Sequence, residues 1–339
     1  MKKSLFMMGV AIAALSSCTQ NEVLDIAESN TIQFGKSYIG KPTRATIVEN
    51  EAMLDNFYVY AHSVDSDPGW QTALTDNYFM TNEKVYRGPN DVWGYDNIKK
   101  YENDKLYSFA AYSDGGIEGV DGKLASGVTF TSPTSSAIAK LEIANYTTDG
   151  KDKDLLVAIS QNTLTETDPK VTFAFKHALS QIKFNIHNPL GNNSIRIESF
   201  SVSGFNDGAK LTYTEAASDN PIITWDAPTT PRNITTLEKN TAVTNDPAYG
   251  TYTIIPQTID ESGLTINITA SLILADGTVK EQNKEYEAIL TTLPTFQPGF
   301  IYNFNATLNM GYIYFDDITV TPWETADDTE MNPVEQAGA

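Results

Sequence analysis

Near the middle of the chain stands Val171-Thr172-Phe173-Ala174-Phe175-Lys176-His177-Ala178-Leu179-Ser180-Gln181-Ile182-Lys183-Phe184. At both ends of this stretch, large apolar residues alternate with polar or small residues. Alternation with a period of two is typical of strands that bury one face and leave the other face in water. The stretch therefore predicts two strands, and it sets the pattern against which the rest of the chain can be compared.

The same alternation recurs on both sides of this stretch. The clearest segments are residues 56–61, 107–112, 155–159, 195–200, 252–255, 264–268 and 301–305. Asp-Gly pairs punctuate the chain, and Asp276-Gly277 predicts a type I′ hairpin turn between two apolar runs. Residues 135–141 are the one helical candidate, and it is short. We therefore predict an all-β protein built from antiparallel β-sandwiches.

Length and composition bound the organisation. The chain has 339 residues, which is more than one ordinary domain, and 41% of them are hydrophobic. A polar stretch ending at Asp168-Pro169 separates two strand-rich halves. It predicts an N-terminal sandwich over residues 45–168 and a C-terminal sandwich over residues 169–339. The 43 acidic residues against 23 basic ones give a net charge of −20. This balance argues against nucleic acid as a partner, because binding phosphate needs clustered basic side chains.

The first residues have the pattern of an export signal. Lys2 and Lys3 precede an apolar run from Leu5 to Leu15, which is too short to span a bilayer. The only cysteine, Cys18, follows Ser16 and Ser17 and resembles the cysteine of a bacterial lipobox. Residues 1–17 are therefore predicted to be a lipoprotein signal peptide, with a lipid attached to Cys18.

Motifs for catalysis are missing from the sequence. There is no nucleotide-binding glycine loop after a strand and no cysteine pair, and three histidines leave little room for a metal centre. We expect no enzyme activity, no metal and no cofactor. One binding alternative stays open: the four Trp residues, with Tyr78, Tyr86, Tyr95 and Tyr101, could stack on sugars.

Two segments carry a resemblance to a known family. The central stretch contains Phe175, His177, Leu179 and Phe184, and a Thr-Pro-Trp triplet ends at Trp323. Together with the lipobox, these segments resemble the fimbrillin family, the type V pilins of Bacteroidales bacteria. The resemblance implies two transthyretin-like antiparallel β-sandwich domains in tandem, in a lipoprotein that is carried to the cell outer membrane.

The resemblance also implies a maturation step. A trypsin-like, arginine-specific protease removes the N-terminal segment of such proteins, and the matching position here is the bond between Arg44 and Ala45. Residues 18–44 would then be a prosegment with a removable first strand. Its loss leaves a groove, which a strand from the next fimbrial subunit fills.

The residues themselves suggest which strands take part. Ile32 and Phe34 alternate with polar residues just before Arg44 and are the predicted removable strand. Two short alternating runs near the C-terminus are candidate donors, and they contain Tyr312, Tyr314, Ile318 and Val320. Alternatively, both runs are ordinary strands of the second sandwich.

The leading hypothesis is a structural or tip subunit of a surface fimbrium that takes part in cell adhesion. Its partners would be other fimbrial subunits, the maturation protease and, through the lipid, the outer membrane. The alternative is a surface lipoprotein that binds glycan or a host ligand without polymerising. Shaft, tip and anchor roles all remain open at this stage.

Replacing Cys18 by Ser is expected to abolish lipid attachment, because the thiol sulfur is the atom to which the lipid is bonded. Cells grown with labelled palmitate should yield an exported chain without label for Cys18→Ser. Ser17→Ala keeps a small residue before the cysteine and should keep the label. A labelled Cys18→Ser chain would contradict the predicted attachment site.

Overall fold

The computed structural model describes residues 30–35, 38–39, 54–89, 92–117, 119–148, 153–162, 164, 169–191, 193–215, 221–235, 241–243, 249–309 and 311–323. These residues form strands and contain no α-helix, so the all-β prediction is confirmed for them. The strands in chain order are β1 (Gln33–Phe34), β2 (Tyr38–Ile39), β3 (Asn56–Asp65), β4 (Met80–Arg87), β5 (Trp93–Tyr95), β6 (Lys105–Asp114), β7 (Val128–Thr131), β8 (Lys140–Tyr146), β9 (Leu155–Asn162), β10 (Lys170–Val171), β11 (Ala174–His177), β12 (Ser180–His187), β13 (Ser194–Asp207), β14 (Ala209–Glu215), β15 (Pro221–Trp225), β16 (Thr230–Thr235), β17 (Thr241–Val243), β18 (Tyr249–Ile254), β19 (Leu264–Ile273), β20 (Val279–Leu290), β21 (Phe300–Leu308), β22 (Ile313–Phe315) and β23 (Thr319–Pro322).

A seven-stranded sheet dominates the first half of the chain, in the order β2-β11-β9-β6-β3-β4-β5. Neighbouring strands are antiparallel, except that β2 pairs parallel with β11. Both faces of this sheet are buried. Along β3, Phe57 and Val59 face one apolar cluster, while Tyr58 and Tyr60 face another. This double burial explains why β3 is a nearly continuous apolar run in the sequence, so the one-sided burial predicted for residues 56–61 was wrong.

One face of the seven-stranded sheet packs against a four-stranded sheet in the order β15-β14-β8-β7. Their facing side chains form the inner core, which includes Tyr112, Val157, Leu141 and Tyr213. Apart from the parallel β2–β11 pair, the two layers make an antiparallel sandwich with aromatic and β-branched residues between the sheets.

The other face has a thinner cover. A two-stranded parallel sheet of β1 and β10 lies over it, with Gln33 opposite Lys170 and Phe34 opposite Val171. We call the cluster beneath it the lid core. It contains Ile32, Phe34, Phe57, Phe109 and Phe173 among its buried members.

A second sandwich follows in the other half of the chain. One sheet has the order β18-β12-β21-β22, with β23 also pairing with β21, and the other has the order β16-β13-β19-β20, with β17 pairing with β13. Between them lies the C-terminal core, centred on Phe184. Its ring centroid is 5.0 Å from that of Phe200 and 4.9 Å from that of Phe304.

The chain crosses between the two sandwiches more than once. After β13, which belongs to the second sandwich, the hairpin of β14 and β15 returns to pair with β8 of the first. The strands β10 and β11, which lie after the expected boundary at residue 168, also pair with strands of the first sandwich. The division at residue 168 stays a prediction about sequence segments, since the first sandwich contains residues from both segments and the second contains residues only from the later one.

Two local predictions were wrong in detail. Residues 135–139 do not form a helix, because the Thr134 hydroxyl accepts the amide N–H groups of Ser136 and Ala137 in a turn before β8 begins. Asp276-Gly277 does connect β19 and β20, but only Gly277 has a positive φ, at 84°. A type I′ turn needs two such residues, so the connection is a longer loop closed by Leu274 and Thr278.

Phe184→Ala is expected to lower the free energy of unfolding by about 3–5 kcal/mol, because it leaves a cavity between packed aromatic rings. Ile289→Ala removes an apolar side chain that is 56% exposed in the same sandwich. It should change the free energy by only about 0.5 kcal/mol. Chemical denaturation followed by intrinsic fluorescence measures both. Equal effects of the two variants would contradict the placement of Phe184.

Candidate functional site

The N-terminal segment Asn30–Gly35 is held by the backbone on both of its sides. On one side, Ile32 N–H donates to Lys99 O at 2.9 Å, and Tyr101 N–H donates to Asn30 O at 2.9 Å. On the other side, Gln33 N–H donates to Pro169 O at 3.0 Å and Gly35 N–H to Val171 O at 2.9 Å. The segment is therefore paired along both of its edges, with β10 on one side and with the isolated bridge residue Lys100 on the other, and both partners are distant in sequence.

Two side chains of this segment enter the lid core. Ile32 is fully buried and Phe34 is 5% exposed. The ring of Phe34 lies 5.2 Å from that of Tyr95 and 6.1 Å from those of Phe57 and Phe173. These are edge-on and stacked arrangements that aromatic pairs favour. Both residues of the predicted removable strand, Ile32 and Phe34, therefore lie in the lid core, and their removal stays a prediction.

Tyr95 ties the segment to the body of the sandwich. Its hydroxyl donates to Ile32 O at 2.9 Å and accepts the N–H of Lys99 at 3.1 Å. Burial raises the pKa of Tyr95, and the hydrogen bond with the Lys99 backbone partly opposes this shift. The raised pKa means that the folded protein favours the neutral hydroxyl, which is the form that can donate to Ile32.

The segment is short of space where it passes Thr172. A Cβ atom placed on Gly35 would lie 2.7 Å from the Thr172 hydroxyl oxygen, so only glycine fits without a shift. Beyond it, β2 continues the same course and pairs parallel with β11 at Ala174 and Phe175. The strands β1 and β2 together therefore pair along residues 170–175.

We call the space under Asn30–Gly35 the N-terminal groove. Its walls are the backbone of Lys99–Tyr101 on one side and of Pro169–Val171 on the other, and its floor is formed by Phe57, Tyr95 and Phe173. Without the segment, three carbonyl groups, one N–H and the Tyr95 hydroxyl lose the partners named above. The groove can therefore bind an extended peptide through main-chain hydrogen bonds and apolar side chains.

Sequence reasoning missed the walls of this groove. Tyr95 and Lys99–Tyr101 are more than sixty residues from Ile32 in the chain. Nothing in their local pattern indicates that they meet it. The buried positions of Tyr95 and Tyr101 also remove them from the suggested sugar-stacking platform, since they are 5% and 2% exposed.

The C-terminal candidates lie together at the edge of the second sandwich. Both β22 and β23 pair antiparallel with β21. Tyr312, Tyr314 and Val320 point outward and are 58%, 58% and 44% exposed, whereas Ile318 packs on the C-terminal core. The core-facing residues of β22 are Ile313 and Phe315, which the sequence analysis did not select. Their alternation with Tyr312 and Tyr314 indicated a strand, but both faces of that strand are apolar in the sequence, so no local signal could have identified the buried face.

The residues of the family motif fall into different cores. Phe175 belongs to the lid core, Leu179 to the inner core and Phe184 to the C-terminal core. His177 stacks on Trp323 with ring centroids 4.4 Å apart and planes 7° from parallel. The structure therefore brings His177 and Trp323 into contact although they are distant in sequence.

His177 is also held by a carboxylate. Its Nδ1 lies 2.7 Å from Asp154 Oδ2, and the histidine is 4% exposed. A cavity of about 360 Å³ lies beside this group, lined by Leu54, Ile117, Val120, Tyr252 and Trp323 among others. Backbone hydrogen bonds connect the residues around this group: Trp323 N–H donates to Gly299 O, and Gly299 N–H donates to Leu179 O. His177 and Trp323 therefore belong to the contact between the two sandwiches.

Three predicted positions, Cys18, Arg44 and Ala45, lie outside the described residues. Within the described ranges, no group of three His, Cys, Asp or Glu side chains is arranged to hold a metal ion. The same part of the chain contains no helix long and apolar enough to cross a membrane.

The described residues thus form an all-β fold in which the N-terminal segment Asn30–Gly35 completes the first sandwich. Residues 43–323 match the family described as fimbrillin-like. The match covers most of the chain, and the chain belongs to this family.

Solved structures agree with the fold. A fimbrial protein from Bacteroides vulgatus is 19% identical, with a TM-score of 0.50 over 87% of this chain and 99% of that chain. A protein from Bacteroides ovatus, described as a candidate cell adhesion protein, is 14% identical, with a TM-score of 0.50 over 88% and 98% of the two chains. At these identities the likeness shows the fold alone. No curated protein matches the chain. The family supports a fimbrial or adhesin-type protein of the cell surface.

Tyr95→Phe is expected to lower the free energy of unfolding by about 0.5–1.5 kcal/mol at pH 8, because the bond to Ile32 O is lost. The raised pKa of Tyr95 gives stability that is complete below the ordinary tyrosine pKa of about 10 and is lost as the pH rises through the folded value. Only the wild-type protein has this hydroxyl. The difference in free energy of unfolding between the two proteins should therefore shrink above pH 10.

Denaturation at pH 8 and at pH 10.5 measures the effect. Tyr86→Phe is the matched control, since its hydroxyl bonds Asp96 at an exposed site, at 3.2 Å. It should change the free energy by less than about 0.5 kcal/mol. A Tyr95→Phe effect that grows with pH would contradict the assigned role.

Proposed function

We propose that this protein is a subunit of a cell-surface fimbria that assembles by donor-strand exchange. It is exported to the outer membrane as a lipoprotein acylated at Cys18. A trypsin-like protease cuts between Arg44 and Ala45 and separates the prosegment, residues 18–44, from the two sandwiches. Residues 45–168 belong to the first sandwich, and residues 169–339 supply the second sandwich together with β10, β11, β14 and β15 of the first. Both sandwiches are of the transthyretin-like type in this proposal.

The observation that carries the proposal is that Asn30–Gly35 is hydrogen-bonded to both walls of the N-terminal groove and buries its side chains there. This segment supplies a strand that the first sandwich needs, and it does so from the part of the chain that precedes Arg44. Both seated strands, β1 and β2, precede Arg44 in the sequence. A single cut after Arg44 therefore makes both of them a separate peptide.

Loss of that peptide leaves the first sandwich in a costly state. Burying an isoleucine or phenylalanine side chain contributes about 1.5–3 kcal/mol, and the lid core would lose both Ile32 and Phe34. Each hydrogen-bonding group left unsatisfied within a buried wall costs about 1–3 kcal/mol more. An open strand position of this kind favours pairing with another chain.

A strand from another subunit restores both the burial of apolar side chains in the lid core and the hydrogen bonds of the groove walls. Its backbone replaces the hydrogen bonds to Lys99, Tyr101, Pro169 and Val171, and its alternate side chains refill the lid core. The exchange needs no cofactor and no chemical step beyond the proteolytic cut. The C-terminal strands β22 and β23, with Tyr312, Tyr314, Ile318 and Val320, remain candidate donors under this proposal.

Arg44→Gln is expected to block maturation, because an arginine-specific protease needs the guanidinium group at this position. The wild-type surface protein should begin at Ala45 when its N-terminus is sequenced. The variant should begin at Cys18 and be absent from isolated fimbriae. Lys41→Gln removes a nearby basic residue and should mature normally. A wild-type protein found only with acylated Cys18 at its N-terminus would count against the proposed cleavage.

A further inference from the structure

We infer that the N-terminal groove accepts a strand from a different protein and not from a second copy of this chain. The accepted strand has a large aliphatic residue, any residue but proline, an aromatic residue and glycine, in that order. The inference rests on the proposed removal of residues 18–44, because the groove is open only when Asn30–Gly35 has left it.

The first requirement comes from the Ile32 position. Ile32 is fully buried in the lid core, and its carbonyl accepts the Tyr95 hydroxyl. A polar side chain at this position would be buried without a partner, and a small one would leave a cavity. The groove therefore selects a large aliphatic residue here.

The second requirement comes from the Phe34 position. Three aromatic rings surround Phe34, and the nearest ring centroid, that of Tyr95, is 5.2 Å away. An aromatic side chain makes edge-on contacts in this site that an aliphatic chain cannot make. The residue two places after the aliphatic one is therefore aromatic.

The third requirement is glycine at the next position. A Cβ atom at Gly35 would be 2.7 Å from the Thr172 hydroxyl oxygen, which must rotate away before any other residue can enter. The backbone adds a fourth requirement. The N–H groups at positions 32, 33 and 35 all donate to the walls, so proline fits at none of these positions.

The chain does not contain this pattern a second time. Of its 15 phenylalanines, only Phe34 is followed by glycine. The other aromatic-glycine pairs, Trp93-Gly94 and Tyr249-Gly250, have Asp91 and Pro247 at the position that must be aliphatic.

The nearest imitations are poor donors. Ile182-Lys183-Phe184 repeats the aliphatic and aromatic residues, but it belongs to β12, which has paired neighbours on both sides. Ile313-Tyr314-Phe315 is at an edge, but Asp316 stands where glycine is needed. The Asp316 N–H also donates to Asn305 O, which holds this run on its own sandwich. A second copy that has also lost residues 18–44 therefore offers no strand that meets all the requirements.

The test uses residues 19–339, which lack the signal peptide and the lipid-bearing Cys18, cut after Arg44 with an arginine-specific protease and checked by mass spectrometry. If Arg44 is not cut, the proposed maturation fails, and a recognition site for another protease placed at residues 41–44 opens the groove for the same measurement. The cut protein is unfolded and refolded with a labelled peptide of residues 29–40, and binding is followed by fluorescence anisotropy.

Variant peptides read each position of the strand. Phe34→Ala, Gly35→Val and Gln33→Pro peptides should each bind at least about tenfold more weakly than the natural peptide. Gln33→Ser changes a residue outside the lid core and should bind equally well. A peptide of residues 311–322 represents a second copy and should not bind, and the cut protein alone should stay monomeric on size analysis.

Three results would overturn the inference. The first is self-assembly of the cut protein into multimers. The second is binding of the 311–322 peptide as tight as that of the 29–40 peptide. The third is failure of the 29–40 peptide itself to bind, which would show that the groove does not hold a free strand.

Discussion

The first sandwich is governed by one constraint, which is that its seven-stranded sheet has apolar side chains on both faces. One face is covered by a full sheet, but the other is covered by the narrow layer of β1 and β10. Apolar surface and strand backbone beneath that layer both need a partner, and a short peptide supplies it. Any peptide can therefore cover this face if its side chains fill the lid core and its backbone makes the hydrogen bonds of the N-terminal groove.

The same constraint explains what the sequence could predict. Strands such as β12 and β19 alternate clearly because each buries one face, and their alternation was sufficient to predict an all-β fold. Ile32 and Phe34 were also predictable, since their alternation shows even in a very short strand. The groove walls were not, because Tyr95 and Lys99–Tyr101 reach the segment only through long-range packing. Register and strand order depend on such contacts, and local patterns do not encode them.

The C-terminal candidates illustrate a different limit. Alternation identified a strand but did not say which of its two faces is buried, and Tyr312 and Tyr314 were chosen where Ile313 and Phe315 face the core. Tyrosine is amphipathic and fits either environment, so its presence does not decide the matter. The hairpin at Asp276-Gly277 shows the same limit for turns, since the pair fixes the place of the reversal and not its length.

The central motif has a physical meaning that its sequence alone does not reveal. Within a few residues it contributes Phe175, Leu179 and Phe184 to three separate cores, and His177 stacks on Trp323 at the end of β23. Each of these side chains packs in a different core, so each position of the motif is restricted for a different reason.

The return of the β14–β15 hairpin to the first sandwich has a mechanical consequence. The chain passes between the two bodies three times, from β11 to β12, from β13 to β14 and from β15 to β16. Tension along the molecule is therefore shared among three covalent tethers instead of being carried by one linker. Pulling the bodies apart would require stripping a whole hairpin from β8, whose five paired positions resist together. We therefore expect the two sandwiches to resist separation under load more than two domains joined by a single linker would.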